Sequence, residues 1–194
     1  MATTNATTAP AVNPAVLPAS EGTELTAPIV GEVKTYNLNI MSATIFRPEE
    51  EGWSPTIKLR HKEEIVGKYQ DKDTKEYKIG MVKDFSVFLS DITKKLLENK
   101  NVYRYFKHQR ATILAKATEG ASTESELQEA LVKARKNADV HYHNELEMFL
   151  SGANVVVEIT YDGEKFIKNI VSVTLDEEDL VDIKAVVRRN LFSE

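Results

Sequence analysis

The spacing of hydrophobic positions changes period three times along the chain. Over 32–46 apolar and polar residues alternate. Tyr36, Leu38 and Ile40 fall on one face with Lys34, and Asn37 and Asn39 on the other, which predicts a half-buried strand. Pro48, Gly52, Pro55 and the acidic run Glu49–Glu51 mark a loop. Thr56–Arg60 predicts a second strand. Glu64–Tyr69 and Tyr77–Val82 predict two more, joined by a polar turn over 71–75. The period then lengthens. Phe85, Phe88, Leu89, Ile92 and Leu96 follow the i, i+3, i+4, i+7, i+11 spacing of an amphipathic helix, with Asp84 as its N-cap. Val102, Phe106 and Ile113 predict a second helix near 101–117, ended by Gly120. Thr123 and Glu126 form a capping-box pattern for a third, whose apolar side is Leu127, Ala130, Leu131 and Ala134. A further turn or two of helix is expected around Asn144–Leu150, stopping at Gly152.

The strand period then returns. Asn154–Tyr161 is a β-branched run, and Asp162-Gly163 is a type I′ turn signal. Phe166–Leu175 leads back, with Ile167, Val171, Val173 and Leu175 on one face. Acids at Asp176–Asp179 and bases at Arg188 and Arg189 match the macrodipole of a last helix, whose stripe is Leu180, Ile183 and Val187. Strands, a helical block, a hairpin and a helix make an α+β domain.

Composition divides the chain in two. Residues 1–31 hold four of the six prolines, seven alanines and six threonines, and no basic residue. Such a stretch has too little apolar bulk to offset its ordering entropy, so a disordered or extended arm is expected there. Residues 32–194 suit a single α+β domain, with its helical block at about 84–150. The chain has no cysteine, which fits a reducing compartment, and no apolar run near membrane length. With no secretory signal pattern either, the expected location is the cytoplasm, or a host cytoplasm if the protein is viral.

The net charge of −5 conceals one basic stripe. Over 94–116 the local charge is +6, with Tyr103, Tyr105, Phe106 and His108 interleaved. On a helical wheel Lys100, Arg104, Lys107 and Arg110 share one broad side with Tyr103, while Val102 and Phe106 face away. A cation stripe of this kind neutralises phosphates, and an aromatic beside it stacks on an unpaired base. Lys58 and Arg60 alternate with Ile57 and Leu59 and so share a strand face. Trp53, Tyr69 and Tyr77 are further stacking candidates, with Lys68 and Lys78 nearby. The alternative for all of these is a solvated surface paired with acids elsewhere.

Catalytic signals are weak. His141 and His143 chelate a metal only in an extended chain. On a helix they diverge, and only His141 with Glu145 meets. Glu32-x-Lys34 and Glu76-x-Lys78 lack a well-placed upstream carboxylate, and no phosphate-cradling glycine loop or nucleophile elbow occurs. Neither a metal nor a cofactor is expected, and no catalytic residue is nominated.

The leading strands, a helical segment and a closing pair ending in Asn154–Leu175 resemble a phage-type single-stranded-DNA-binding protein with an OB-fold. The resemblance implies a small antiparallel β-barrel or sheet with a large helical insertion between strands 3 and 4 and a C-terminal helix. It also implies non-enzymatic binding of single-stranded nucleic acid in DNA replication or recombination, by a protein free of the membrane that can form homo-oligomers. The other expectation is a virion structural or assembly protein whose N-terminal arm binds neighbouring subunits.

Overall fold

A computed structural model describes residues 28–47 and 54–191. The expected arm therefore falls almost wholly outside the described residues, as does Trp53.

Five strands form one antiparallel, open sheet: β1 (Val33–Phe46), β2 (Thr56–Gln70), β3 (Tyr77–Phe88), β4 (Asn154–Tyr161) and β5 (Phe166–Thr174). Their order is β3-β2-β1-β4-β5. Among the described residues four helices complete the mixed α+β fold. These are α1 (Leu89–Leu96), α2 (Lys100–Thr118) and α3 (Glu124–Leu150) between β3 and β4, and α4 (Glu177–Leu191) after β5. The sheet does not close into a barrel, because β3 and β5 remain its two edges.

β1 organises the sheet. Its first half, Val33–Asn39, pairs with β4, and its second half pairs with β2 from Ile40↔His61 to Phe46↔Thr56. A register shift between Ile40 and Ser42 turns the strand from one ladder to the other. Beyond His61, β2 continues with β3 alone. The two expected segments Thr56–Arg60 and Glu64–Tyr69 are thus one bent strand, carried through an irregularity between Arg60 and Ile65.

The first helix starts later than its spacing suggests. Phe85 and Val87 are buried while Ser86 and Phe88 are exposed, a strand period, and both pair with β2 as Leu59↔Phe85 and Ile57↔Val87. Phe88 is the N-cap of α1, so Asp84 lies inside β3 and caps nothing. The ambiguity is physical, since Phe85, Phe88 and Leu89 satisfy a 3.6-residue period as well as a local alternation.

The third helix is longer than expected. The fragments foreseen near Thr123 and near Asn144–Leu150 are one helix of 27 residues, about 40 Å long. No Gly or Pro interrupts it, and Ala134, Ala138, Tyr142, Leu146 and Leu150 continue one stripe at four-residue spacing. Thr123 and Glu126 form the expected capping box, and Gly120 takes the expected positive φ of 89° just past α2. Asn99 caps α2, its side chain accepting from the Asn101 and Val102 amides.

The closing hairpin also differs in detail. Of Asp162 and Gly163 the glycine alone has a positive φ, so the connection is not a type I′ turn. It is a longer loop closed by the Asp162 carboxylate, which accepts from the Glu164 and Lys165 amides. A shift opposite Val156/Val157 reverses the faces of β5 around Val171. Ile167 and Val171, expected on the buried face, are exposed. Phe166, Lys168 and Ile170 turn inward instead.

The core gathers Leu38, Ile57, Leu59, Ile65 and Val155 of the sheet with Ile92, Leu96, Val102, Leu146, Leu150 and Ile183 of the helices. Truncating one of these, such as Leu146→Ala, is expected to cost about 2–5 kcal/mol. The glutamate of the same helix end, Glu147, accepts from the Ile45 amide at 2.5 Å and ties α3 to β1.

Candidate nucleic-acid interface

The structure places the sequence-nominated residues in two separate regions. The first is α2. Lys100, Tyr103, Arg104, Lys107 and Arg110 are exposed, while Val102, Tyr105 and Phe106 are buried. Tyr103 keeps 51% of its surface. The helix presents this side because its opposite face is fixed by aromatic packing. Phe106 lies 4.6 Å from Tyr142 and 5.9 Å from Phe149 between ring centroids. Among the described residues, none of the four cations forms an ion pair.

Tyr103, Lys107 and Arg110 also rim a groove of about 560 Å³ between α2 and α3, floored by Leu97, Phe106 and Ile113. Lys100 and Arg104 lie outside it. The wall on the α3 side contains Tyr142 with His141 and His143, the two histidines that the sequence offered only as metal ligands. They lie on a helix and act separately. His141 Nε2 is 3.4 Å from Glu145 Oε1, the one meeting a helix allows. His143 Nδ1 contacts the Arg47 guanidinium, and burial followed by that neighbouring cation pushes its pKa below the ordinary value. Glu145 accepts from the Tyr105 hydroxyl at 2.7 Å, and burial and then this bond push the phenol up to about 12. No group of three metal-type side chains converges among the described residues.

The second region is the face of β2 and β3. Here the nominated cations have partners. Arg60 donates from Nε and Nη2 to the two Asp84 oxygens at 2.8 and 3.0 Å, and Lys58 Nζ is 3.1 Å from the same carboxylate. The hydrogen bonds from Arg60, with Lys58 adding to them, pull Asp84 down to about 2. The cross-strand pair Arg60↔Asp84 sets this geometry. Lys78 Nζ donates to Asp71 at 2.7 Å. The same carboxylate accepts from the Asp73 and Thr74 amides, and these bonds, Lys78's first, hold its pKa at about 2. Asp71 is therefore committed to the hairpin turn and not turned toward Glu76. Lys34 reaches back to Glu32 at 3.8 Å.

Tyr69 and Tyr77 are 42% and 74% exposed, at the far end of the β2–β3 hairpin. The Tyr69 ring lies across Gly80, where a Cβ would stand 2.6 Å from a ring carbon, so glycine lets the ring lie flat on the strand. A groove of about 680 Å³ on this face takes in Lys58, Arg60, Tyr69, Met41 and Met81. It shares no residue with the α2–α3 groove. His61 borders it, fully buried beside Phe85 with neither ring nitrogen hydrogen-bonded, and burial pushes its pKa down.

Sequence reasoning missed Asp84 as the organiser of the sheet face because helix spacing assigned it a cap. It also missed the inward turn of Lys168, since the bulge at Val171 leaves no local signal.

No protein-family profile, no curated protein and no solved structure matches the chain. Among the described residues no helix is long and apolar enough to cross a membrane.

Proposed function

We propose that the protein is a non-enzymatic binder of single-stranded nucleic acid, working in DNA replication or recombination in a cytoplasmic setting. The observation that carries this reading is the α2 face: four exposed cations, unpaired among the described residues, flanking an exposed tyrosine. Unpaired cations release counterions from a phosphate chain without first losing a partner. A tyrosine face offers stacking to any unpaired base and nothing comparable to a base already stacked in a duplex.

The sheet adds support. Around an OB barrel the strands run β1-β2-β3-β5-β4 and back to β1, and the barrel is commonly only partly closed. The order β3-β2-β1-β4-β5, with β1 shared between two ladders, is that ring opened between β3 and β5. In this reading the helical block inserted before β4 carries most of the phosphate contacts, and Tyr69 and Tyr77 contribute stacking from the hairpin.

The test is fluorescence anisotropy with single-stranded and duplex oligonucleotides over a range of salt. Affinity is expected to fall steeply with salt and to favour the single strand. The double change Arg104→Ala, Lys107→Ala is expected to weaken binding about equally for all sequences and to flatten the salt slope by roughly 1.4. Unchanged affinity in that variant would remove α2 from the interface.

A further inference from the structure

The open seam between β3 and β5 is not empty of chemistry. β5 turns Lys168 to the inner face, where an apolar residue normally sits, and the ammonium donates to the Ser86 carbonyl of β3 at 3.0 Å. It also stands 5.5 Å from the centre of the Phe85 ring. Its surroundings are apolar enough to lower its pKa by desolvation, and among the described residues no carboxylate forms an ion pair with it. A half-buried ammonium held by one carbonyl and one ring face is incompletely compensated.

Lys168 is not alone. The groove along the seam, about 370 Å³, is lined by Lys58, Lys68, Lys165 and Lys168, with Asp84 as the carboxylate among its walls. Asp84 is already shared by Lys58 and Arg60. Lys68 donates to the Glu164 carbonyl at the β4–β5 loop. Asp162 of that loop lies within electrostatic reach of Lys165 and Lys68, and its oxygen is taken by two backbone amides. Amines from β2 on one side and from β5 and the loop before it on the other thus line a cavity in which they outnumber the acids. Separate ammonium donors converging from several directions suit an oxyanion that accepts on several oxygens, and phosphate is the common one of matching charge.

We propose that the seam between β3 and β5 is a phosphate-binding site, with Lys168 and Lys165 holding the oxyanion from β5 and its loop and Lys68 from β2, while Lys58 stays with Asp84. Occupation ties β5 and its loop to β2 by charge across the seam that no strand hydrogen bonds close. The phosphate comes either from the free ion or from a phosphodiester backbone. The site stands independently of the α2 interface.

The experiment is thermal unfolding of the full chain with inorganic phosphate exchanged for chloride at fixed ionic strength. Wild-type Tm is expected to rise by about 2–4 °C once phosphate exceeds its dissociation constant several-fold. Lys168→Met, which keeps the length and packing of the side chain, is expected to abolish the rise without lowering Tm in chloride. Lys165→Ala, at an exposed position, is expected to reduce it even if Lys168→Met fails to fold. The Arg104→Ala, Lys107→Ala protein is expected to keep the full rise, so a failure of α2 to bind oligonucleotide leaves this result standing. Oligonucleotide affinity lost together with the phosphate rise in the lysine variants identifies a phosphodiester source; affinity retained while the rise is lost identifies the free ion. A wild-type Tm indifferent to phosphate, or an equal rise in wild type and both lysine variants, overturns the site. So does a Lys168→Met protein that self-associates while wild type ignores phosphate, because Lys168 then serves only to guard an edge strand.

Discussion

The β2–β3 face and helix α2 carry cations of the same types, yet they differ in what those cations already hold. Lys58 and Arg60 converge on Asp84, and Lys78 on Asp71. Lys100, Arg104, Lys107 and Arg110 meet no acid among the described residues. Composition counts both sets alike. The difference comes from cross-strand register, which sets an acid directly opposite Arg60, against a helix face on which no acid among the described residues comes within ion-pair distance. A cation with a bidentate partner has to exchange that partner for a phosphate and gains little, whereas an unpaired one gains the whole counterion term. Availability, more than charge, separates a structural cation from a binding one.

The largest effect that could break this contrast is on affinity. Arg104→Ala with Lys107→Ala is expected to weaken oligonucleotide binding about tenfold or more at moderate salt, and Lys58→Ala with Arg60→Ala by much less; anisotropy titrations of the two proteins side by side measure the gap. Equal losses would show that pairing with Asp84 does not withhold the sheet cations.

The next sharpens it by releasing them. Asp84→Asn is expected to raise affinity a few-fold at low salt and to cost about 1 kcal/mol of stability, a figure kept small because Lys58 and Arg60 are largely solvated. The linkage has a definite sign. The Asp84 pKa falls from the usual carboxylate value to about 2 on folding, so its contribution is complete above the unfolded value and is lost as pH drops toward 2. Urea unfolding from pH 5 to pH 2 is expected to show wild type losing stability that Asp84→Asn does not lose.

His61 gives a third, smaller effect in a different window. Burial lowers its pKa, so the unfolded chain binds the proton more readily than the folded one. Its contribution is present above the unfolded value near 6.5 and declines as pH falls through the folded one. His61→Phe is expected to flatten the stability profile below about pH 6.5, measured by denaturant titration. His143, lowered by burial and by Arg47, adds to the same slope and remains in the variant.

The smallest effect is local. Thr123→Ala removes the cap at the start of α3 and is expected to cost about 1 kcal/mol, seen as faster amide exchange around Glu126 while oligonucleotide affinity holds.

Most elements were legible because their signals were redundant. Asn154–Tyr161 combines β-branching with a turn after it, and α4 combines an apolar stripe with charges of the right sign at each end. Signals failed where two periods fit the same residues, as from Phe85 to Leu89, or where a bulge reversed a face, as at Val171. The exposed side of α2 was readable from the wheel, since Val102 and Phe106 fix its buried side. That its cations would lack partners was not, because it depends on which acids the fold brings near. The same holds for the seam, whose lysines come from β2, β5 and the loop before it, about a hundred residues apart in sequence.

The sharing of β1 between two ladders has a consequence for synthesis. Its second half can pair as soon as β2 has left the ribosome, but Val33–Asn39 waits for β4, which begins 84 residues after β2 ends at Gln70. At ordinary elongation rates that wait is roughly 4 to 17 s. During it an unpaired strand bearing Tyr36 and Leu38 is open to any other nascent edge. Nascent chains of this protein are therefore most vulnerable to misassembly while α1 to α3 are being made. A chaperone that retains the first forty-odd residues through that interval, or slower release of the helical block, bears directly on yield.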